Sequence, residues 1–125
     1  MIYFISGHRD ISQEEFNKYY KPQLDKAIED KNKKFVVGDY YGVDIMAQEY
    51  LVSKGLEDYI TVYHMFDKPR NIASDKISTK GGYTTDDERD SAMTKDSNID
   101  IAFIRKGKEK SGTALNILRR YTFVW

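Results

Sequence analysis

The chain is expected to fold as one α/β domain, a Rossmann-like three-layer sandwich with a mainly parallel sheet of four to five strands. Three observations carry this. Short apolar runs alternate with stretches of helical period, and no tight hairpin signal such as Asn-Gly joins one run to the next. The first run, Met1 to Ile5, is apolar or aromatic throughout, as in a strand covered on both faces. Alternation without hairpins favours parallel pairing through right-handed crossovers. A length of 125 residues suits a single domain over 1–125, able to bury roughly two-thirds of its unfolded surface.

The opening strand runs into Ser6-Gly7-His8-Arg9-Asp10, after which Ser12 and Glu15 make an S-x-x-E capping box. Phe16, Tyr20, Leu24, Ala27 and Ile28 then recur at helical spacing, with lysines and acids on the opposite face. Pro22 removes one internal hydrogen bond, so this helix should kink or split near Tyr19 to Lys21. Lys31, Lys33 and Lys34 suit a solvated helix end.

The stretch from Phe35 to Leu51 organises the rest. Phe35-Val36-Val37 reads as a strand, Gly38 to Gly42 as a glycine-bearing turn, and Val43, Ala47, Tyr50 and Leu51 as a helix face. Such a turn aims backbone N–H groups and a helix N-terminus at the carboxyl edge of a sheet, where small anions bind. Gly55 is a plausible helix C-cap, and Tyr59 to Met65 is a third strand rich in β-branched and aromatic residues.

From Phe66 to Thr85 periodicity fades into a long loop expected to be a lid, a binding loop or disordered. Asp86 and Asp87 start a short helix whose acidic first turn suits its dipole. Ile99 to Ile104 is a fourth strand, Ser111-Gly112-Thr113 opens a helix, and Tyr121 to Trp125 is a fifth strand or an apolar tail.

Composition excludes several classes. The absence of cysteine removes disulfides, thiolate metal sites and cysteine nucleophiles. Twenty basic and twenty acidic side chains balance, so no general attraction to nucleic acid or membrane is expected. The N-terminus lacks a signal-peptide pattern and no apolar run has the length of a membrane span, which points to a cytoplasmic protein. There is no G-x-x-x-x-G-K-[ST] loop and no G-x-G-x-x-G turn, which disfavours P-loop hydrolysis and dinucleotide-dependent redox chemistry. Only His8 and His64 are present, without metal-ligand spacing, so neither a metal nor a cofactor is expected.

Candidate site residues follow from the loops at the carboxyl ends of the strands. Gly7 allows close backbone approach, and His8 and Arg9 add donors beside Ser6, suited to a phosphate or a stacked base; Arg9 pairing with Asp10 is the plainer alternative. Ser111, Gly112 and Thr113 would hold a phosphate or merely cap their helix. Asp44 would bind a ribose hydroxyl or cap its own helix, and Asp39 would face the ligand or its own turn. Arg89 suits a phosphate and Asp90 a sugar or a base role; as helix neighbours, only one is expected to face the cleft. His64 is expected to be structural or to touch the ligand. Among ten tyrosines, Tyr40 and Tyr41 are best placed to stack beside the central turn.

The run GDYYGVDIMAQEYL resembles the G-x-x-x-G-x-D-x-x-A segment of the SLOG superfamily, with Gly38, Gly42, Asp44 and Ala47 at the matching positions. ISGHRD and SGTALN resemble its first and last ligand-facing loops, and the element order agrees over nearly the whole chain. That superfamily includes DprA, the LOG phosphoribohydrolases and small nucleotide-binding proteins. A more distant similarity is to nucleoside 2-deoxyribosyltransferases and deoxynucleotide N-hydrolases, with an acidic residue near the start of a helix like Glu88 to Met93. The resemblance implies a nucleotide or nucleotide-derived ligand. It also implies a homodimer or higher homo-oligomer paired through helices beside the site.

The chain departs from the catalytic pattern. The LOG enzymes carry Gly-Gly-x-Gly-Thr-x-x-Glu, whereas here Thr113 is followed by Ala114, Leu115, Asn116 and Ile117, with no carboxylate. Glycosidic chemistry would therefore rest on Asp39, Asp44, Glu88 or Asp90. The favoured expectation is a nucleotide sensor or sequestering protein. The alternatives are an N-glycosidase or deoxyribosyltransferase-like enzyme using Asp90, Asp44 or Glu88, and a DprA-like nucleic-acid-binding module, which the neutral charge disfavours.

Overall fold

The computed structural model describes residues 1–107 and 111–122. In chain order the elements are β1 (Ile2–Ile5), α1 (Gln13–Tyr19), α2 (Lys21–Ile28), β2 (Lys34–Val37), α3 (Val43–Ser53), β3 (Ile60–Met65), β4 (Ser78–Tyr83), α4 (Asp86–Asp96), β5 (Ile99–Ile101) and α5 (Gly112–Thr122). The five strands form one all-parallel sheet in the order β4-β3-β2-β1-β5. It is the expected Rossmann-like α/β sandwich.

Period-two alternation assigns each face. Ile5, Val37 and Val62 lie side by side in register and, with Phe35, Ile60 and Ile101, pack against Phe16, Leu24, Val43, Ala47 and Leu51 of α1, α2 and α3. Phe4, Val36 and Tyr63 point the other way, onto Met93 of α4. Helix α5 joins this second layer: Arg120 bonds Asp100 at 2.9 and 3.0 Å and the Ser97 hydroxyl at 2.7 Å.

Local chemistry sets the helix ends. Ser12 and Glu15 form the capping box, and Glu15 accepts from the Ser12 amide at 3.2 Å. Pro22 sits in the first turn of α2, so the long helical stripe is divided at Tyr20, as its missing N–H dictates. Gly55 follows α3 with φ +72°, the left-handed geometry of a helix C-terminus.

Three sequence expectations need correction. The segment 66–85 is not one loop, because Ser78–Tyr83 adds a parallel edge strand beside β3. The sequence STKGGY hides it, since an exposed edge needs only backbone pairing and offers no apolar alternation. The fourth strand is shorter than Ile99 to Ile104, ending at Ile101 where the chain turns towards the site. Tyr121 and Thr122 end α5 and do not start a strand, while the remaining residues of the expected fifth strand, 123–125, lie outside the described residues.

The topology fixes where a ligand would enter. From β1 the chain builds outward to β4 and then returns to place β5 on the other side of β1. The loops after β1 and β5 therefore diverge, leaving a crevice at this switch point. Tyr20 braces it from below: its buried hydroxyl donates to the Ser6 carbonyl at 2.8 Å and accepts from the Phe103 amide at 3.0 Å.

Candidate functional site

A cavity of about 350 Å³ opens at the carboxyl ends of β1 and β2, against the N-terminal parts of α4 and α5. Of the residues expected from sequence, Ser6, Gly7, His8, Arg9, Gly38, Asp44, Arg89, Asp90, Ser111, Gly112 and Thr113 line it. Asp39, Gly42 and Glu88 do not. The lining also includes Phe4, Tyr40, Tyr41, Met93 and Asn116.

Glycines let the two loops meet. A Cβ on Gly7 would lie 2.4 Å from both the Tyr20 hydroxyl and Val43 Cγ2, so only glycine fits. Gly42 adopts φ +71°, and a Cβ there would come within 2.5 Å of the His8 and Arg9 carbonyl oxygens. Its freedom thus serves contact between loops. The Val43 amide donates to the His8 carbonyl at 3.3 Å, completing the join. The Arg105 amide donates to His8 Nε2 at 3.1 Å, and the Arg105 guanidinium bonds Asp10 and Glu15, so the first loop is held from three sides.

Behind the cavity lies an ionic network. Asp39, fully buried, accepts from Arg89 Nη1 at 2.7 Å, Arg70 Nη2 at 2.9 Å and the Arg70 amide at 2.8 Å. It therefore neither faces the cavity nor closes its own turn. Burial works against its charge, but the bonds from Arg70 outweigh it and hold the carboxyl below its ordinary value. Asn71 donates to the Asp39 carbonyl at 2.9 Å, and Gln48 bonds the Gly38 carbonyl at 3.1 Å and the Ala73 amide at 2.9 Å. The segment after β3 is thus fastened to the central turn.

Arg89 and Asp90 both reach the cavity, contrary to the expectation that one would turn away. The long Arg89 side chain folds back along α4, so that Nε and Nη2 bond Asp90 Oδ1 at 3.1 and 3.0 Å while Nη1 holds Asp39. Carboxylates on both sides keep Arg89 cationic, occupy its Nε, Nη1 and Nη2 donors and offset its field. Asp90 also accepts from Asn116 at 3.4 Å, and desolvation is the main reason its carboxyl lies above its ordinary value.

Asp44 stands apart from these pairs. Its Oδ2 accepts from the Tyr40 amide at 3.1 Å, which fixes the turn before α3; Gly42 holds the N-cap position of that helix, which has no side-chain cap. Oδ2 also abuts Gly38, where a Cβ would fall 2.5 Å away. Burial, opposed by Arg89, pushes the Asp44 carboxyl up to about 7.

The opposite wall is donor-rich. Ser6 is only 5% exposed, and among the described residues its Oγ is the one buried side-chain N or O atom without a hydrogen-bond partner. Nearby, α5 begins with Ser111 as its cap: the Ser111 hydroxyl accepts from the Ala114 amide at 3.3 Å, and its carbonyl from Leu115 at 3.0 Å. The capping role of Ser111 is therefore present, and helix geometry aims the first-turn amides of α5 beyond its N-terminus.

Glu88 is exposed and accepts from the Thr84 hydroxyl at 3.0 Å, away from the cavity. His64 is buried beneath Gly81, bonded to the Met65 carbonyl at 3.0 Å, and is a packing residue. Among the described residues no group of three or more His, Cys, Asp or Glu is arranged to hold a metal ion, and no helix is long and apolar enough to cross a membrane. Comparison with protein-family models, curated proteins and solved structures finds no match to this chain.

Proposed function

We propose that this protein binds a nucleotide or nucleotide-derived ligand in the switch-point cavity, as a sensor or sequestering protein. The observation that carries the proposal is the buried, unpartnered Ser6 hydroxyl in the same cavity as the start of α5. Leaving such a group unsatisfied costs about 1–3 kcal/mol, which a ligand oxygen would recover. A phosphate against Ser6 and the Gly112 and Thr113 amides meets both that hydroxyl and the positive end of the helix dipole. Asn116, which holds Asp90, lies three to four residues further along α5, roughly 4.5–6 Å by helical rise. That Asp90 and Asp44 line the same cavity supports a role for them at the hydroxyl-rich part of the ligand. The cavity volume is at the small end of the range of about 300–1,000 Å³ for small-molecule sites.

A second reading has its own observation, the two desolvated carboxyl groups of Asp44 and Asp90 in one cavity. In N-glycosidic hydrolysis, Asp90 would take a proton from water as the water oxygen bonds the anomeric carbon. The C–N bond electrons leave with the base, which takes the proton of neutral Asp44. An NMR time course of the protein with ribo- and deoxyribonucleotides, cyclic nucleotides and ADP-ribose separates the two. Selective line broadening alone supports a sensor, whereas new free-base and sugar resonances establish cleavage. A panel with neither effect removes both readings.

Self-association belongs to the same proposal. Leu115, Leu118 and Tyr121 form an exposed apolar stripe on α5, beside the site. Sedimentation velocity of the full chain should reveal a dimer or larger species; a monomer at all concentrations would discard it.

A further inference from the structure

We infer that Tyr41 is the stacking platform for a flat heteroaromatic ring, the base of the ligand, at the mouth of the cavity; this rests on the nucleotide proposal above. Tyr41 lines the cavity but is 62% exposed, so much of its side chain is accessible to a ligand that leaves the cavity there. It is not a loosely attached surface residue. Its ring meets Tyr40 edge-on, with centroids 4.9 Å apart at 76°.

Tyr40 in turn is fixed from three directions. Its hydroxyl accepts from Arg9 Nη1 at 3.2 Å, the Arg70 guanidinium lies 4.6 Å from its ring centroid, and its amide donates to Asp44 Oδ2 at 3.1 Å. Arg70 is anchored by buried Asp39, and therefore the brace extends into the core. A fixed neighbour lowers the ordering cost of presenting the Tyr41 ring. An accessible aromatic side chain beside a polar cavity is what a planar ring would cover, since stacking is tolerant of base identity and strong for any π surface. Tyr41 shares this one cavity with Ser6, Asp44, Asp90 and the start of α5.

The test is calorimetric titration of wild type, Tyr41→Phe and Tyr41→Ala with AMP, GMP and UMP, and with ribose 5-phosphate, which has no base. The expected result is tenfold or greater weakening of AMP, GMP and UMP in Tyr41→Ala, near-wild-type affinity in Tyr41→Phe, and no change for ribose 5-phosphate. Equal weakening of ribose 5-phosphate would make Tyr41 a structural residue and overturn the inference. Unchanged nucleotide affinity in Tyr41→Ala would do the same while leaving the pocket proposal standing. Wild-type protein that binds none of these compounds would overturn the inference, and the wider panel of deoxyribonucleotides, cyclic nucleotides and ADP-ribose would then decide the pocket proposal.

Discussion

Replacing Asp44 by asparagine is expected to stabilise the protein at neutral and alkaline pH and to leave it nearly unchanged in acid. Asparagine keeps an acceptor for the Tyr40 amide and the volume beside Gly38, and removes only the charge. Burial raises the Asp44 carboxyl from 3.8 to about 7. At about 1.4 kcal/mol per tenfold change in proton affinity, ionising it inside the fold costs roughly 4 kcal/mol more than in the unfolded chain. Between those two values the folded protein holds a proton that the unfolded chain has released. The Asp44 contribution is therefore fully present below about pH 4 and is lost as pH rises through about 7. Asp90, also raised, acts in the same direction, whereas Asp39, with its lowered value, acts in the opposite one. The difference between variant and wild type removes the parts of these that are independent of Asp44 and keeps its coupling to Arg89, Asp90 and Asp39. Urea unfolding of both proteins from about pH 4 to about pH 8 should give a difference near zero in acid, growing to roughly 4 kcal/mol. A difference that stays flat with pH, or that favours wild type at alkaline pH, would refute the assignment of a buried, weakly compensated carboxyl.

Three further outcomes follow from the same geometry. Ser6→Ala removes an unsatisfied buried hydroxyl, so thermal unfolding should show equal or slightly higher stability, by up to about 1 kcal/mol, while AMP affinity falls about tenfold. A strongly destabilised variant would mean the hydroxyl was bonded after all. Gly7→Ala drives a Cβ to 2.4 Å from the Tyr20 hydroxyl and Val43, and chemical denaturation should register a loss of about 1–3 kcal/mol; an unperturbed variant would show that the loop junction is loose. Arg89→Met strips a partner from buried Asp39 and from Asp90, with an expected loss of about 3–5 kcal/mol. Adding Asp90→Asn should recover part of it, and the absence of any recovery would show that Asp90 does not depend on Arg89.

Much of the fold was legible because its signals are local. The S-x-x-E box, Pro22 and Gly55 set element ends through bonds within a few residues, and the unbroken apolar run Met1 to Ile5 marked a strand covered on both faces, which Phe4 and Ile5 meet by packing into opposite layers. The edge strand Ser78–Tyr83 was not legible, since two glycines and exposed polar residues give it neither period nor propensity. The first, second and last loops were legible as the candidate site because glycine turns before helices mark the carboxyl edge. What escaped was pairing over long separations. Asp39 after a strand looks available to a ligand until Arg70 and Arg89, distant in sequence, are seen to occupy it. Asn116, weighed only for lacking a carboxylate, proves to be the side chain that ties α5 to Asp90. The orphan hydroxyl of Ser6 is likewise a property of packing, which no spacing in the sequence encodes.

The most direct test of the central claim is an amide-resolved NMR titration of nitrogen-labelled full-length protein with AMP. Binding in the switch-point cavity should shift, saturably, the amides of Ser6 to Arg9, Tyr40 to Asp44 and Gly112 to Thr113 together, while those near Lys34 and Asp58 at the opposite end of the sheet stay in place. Shifts confined to that opposite end, or none at millimolar AMP, would contradict the account.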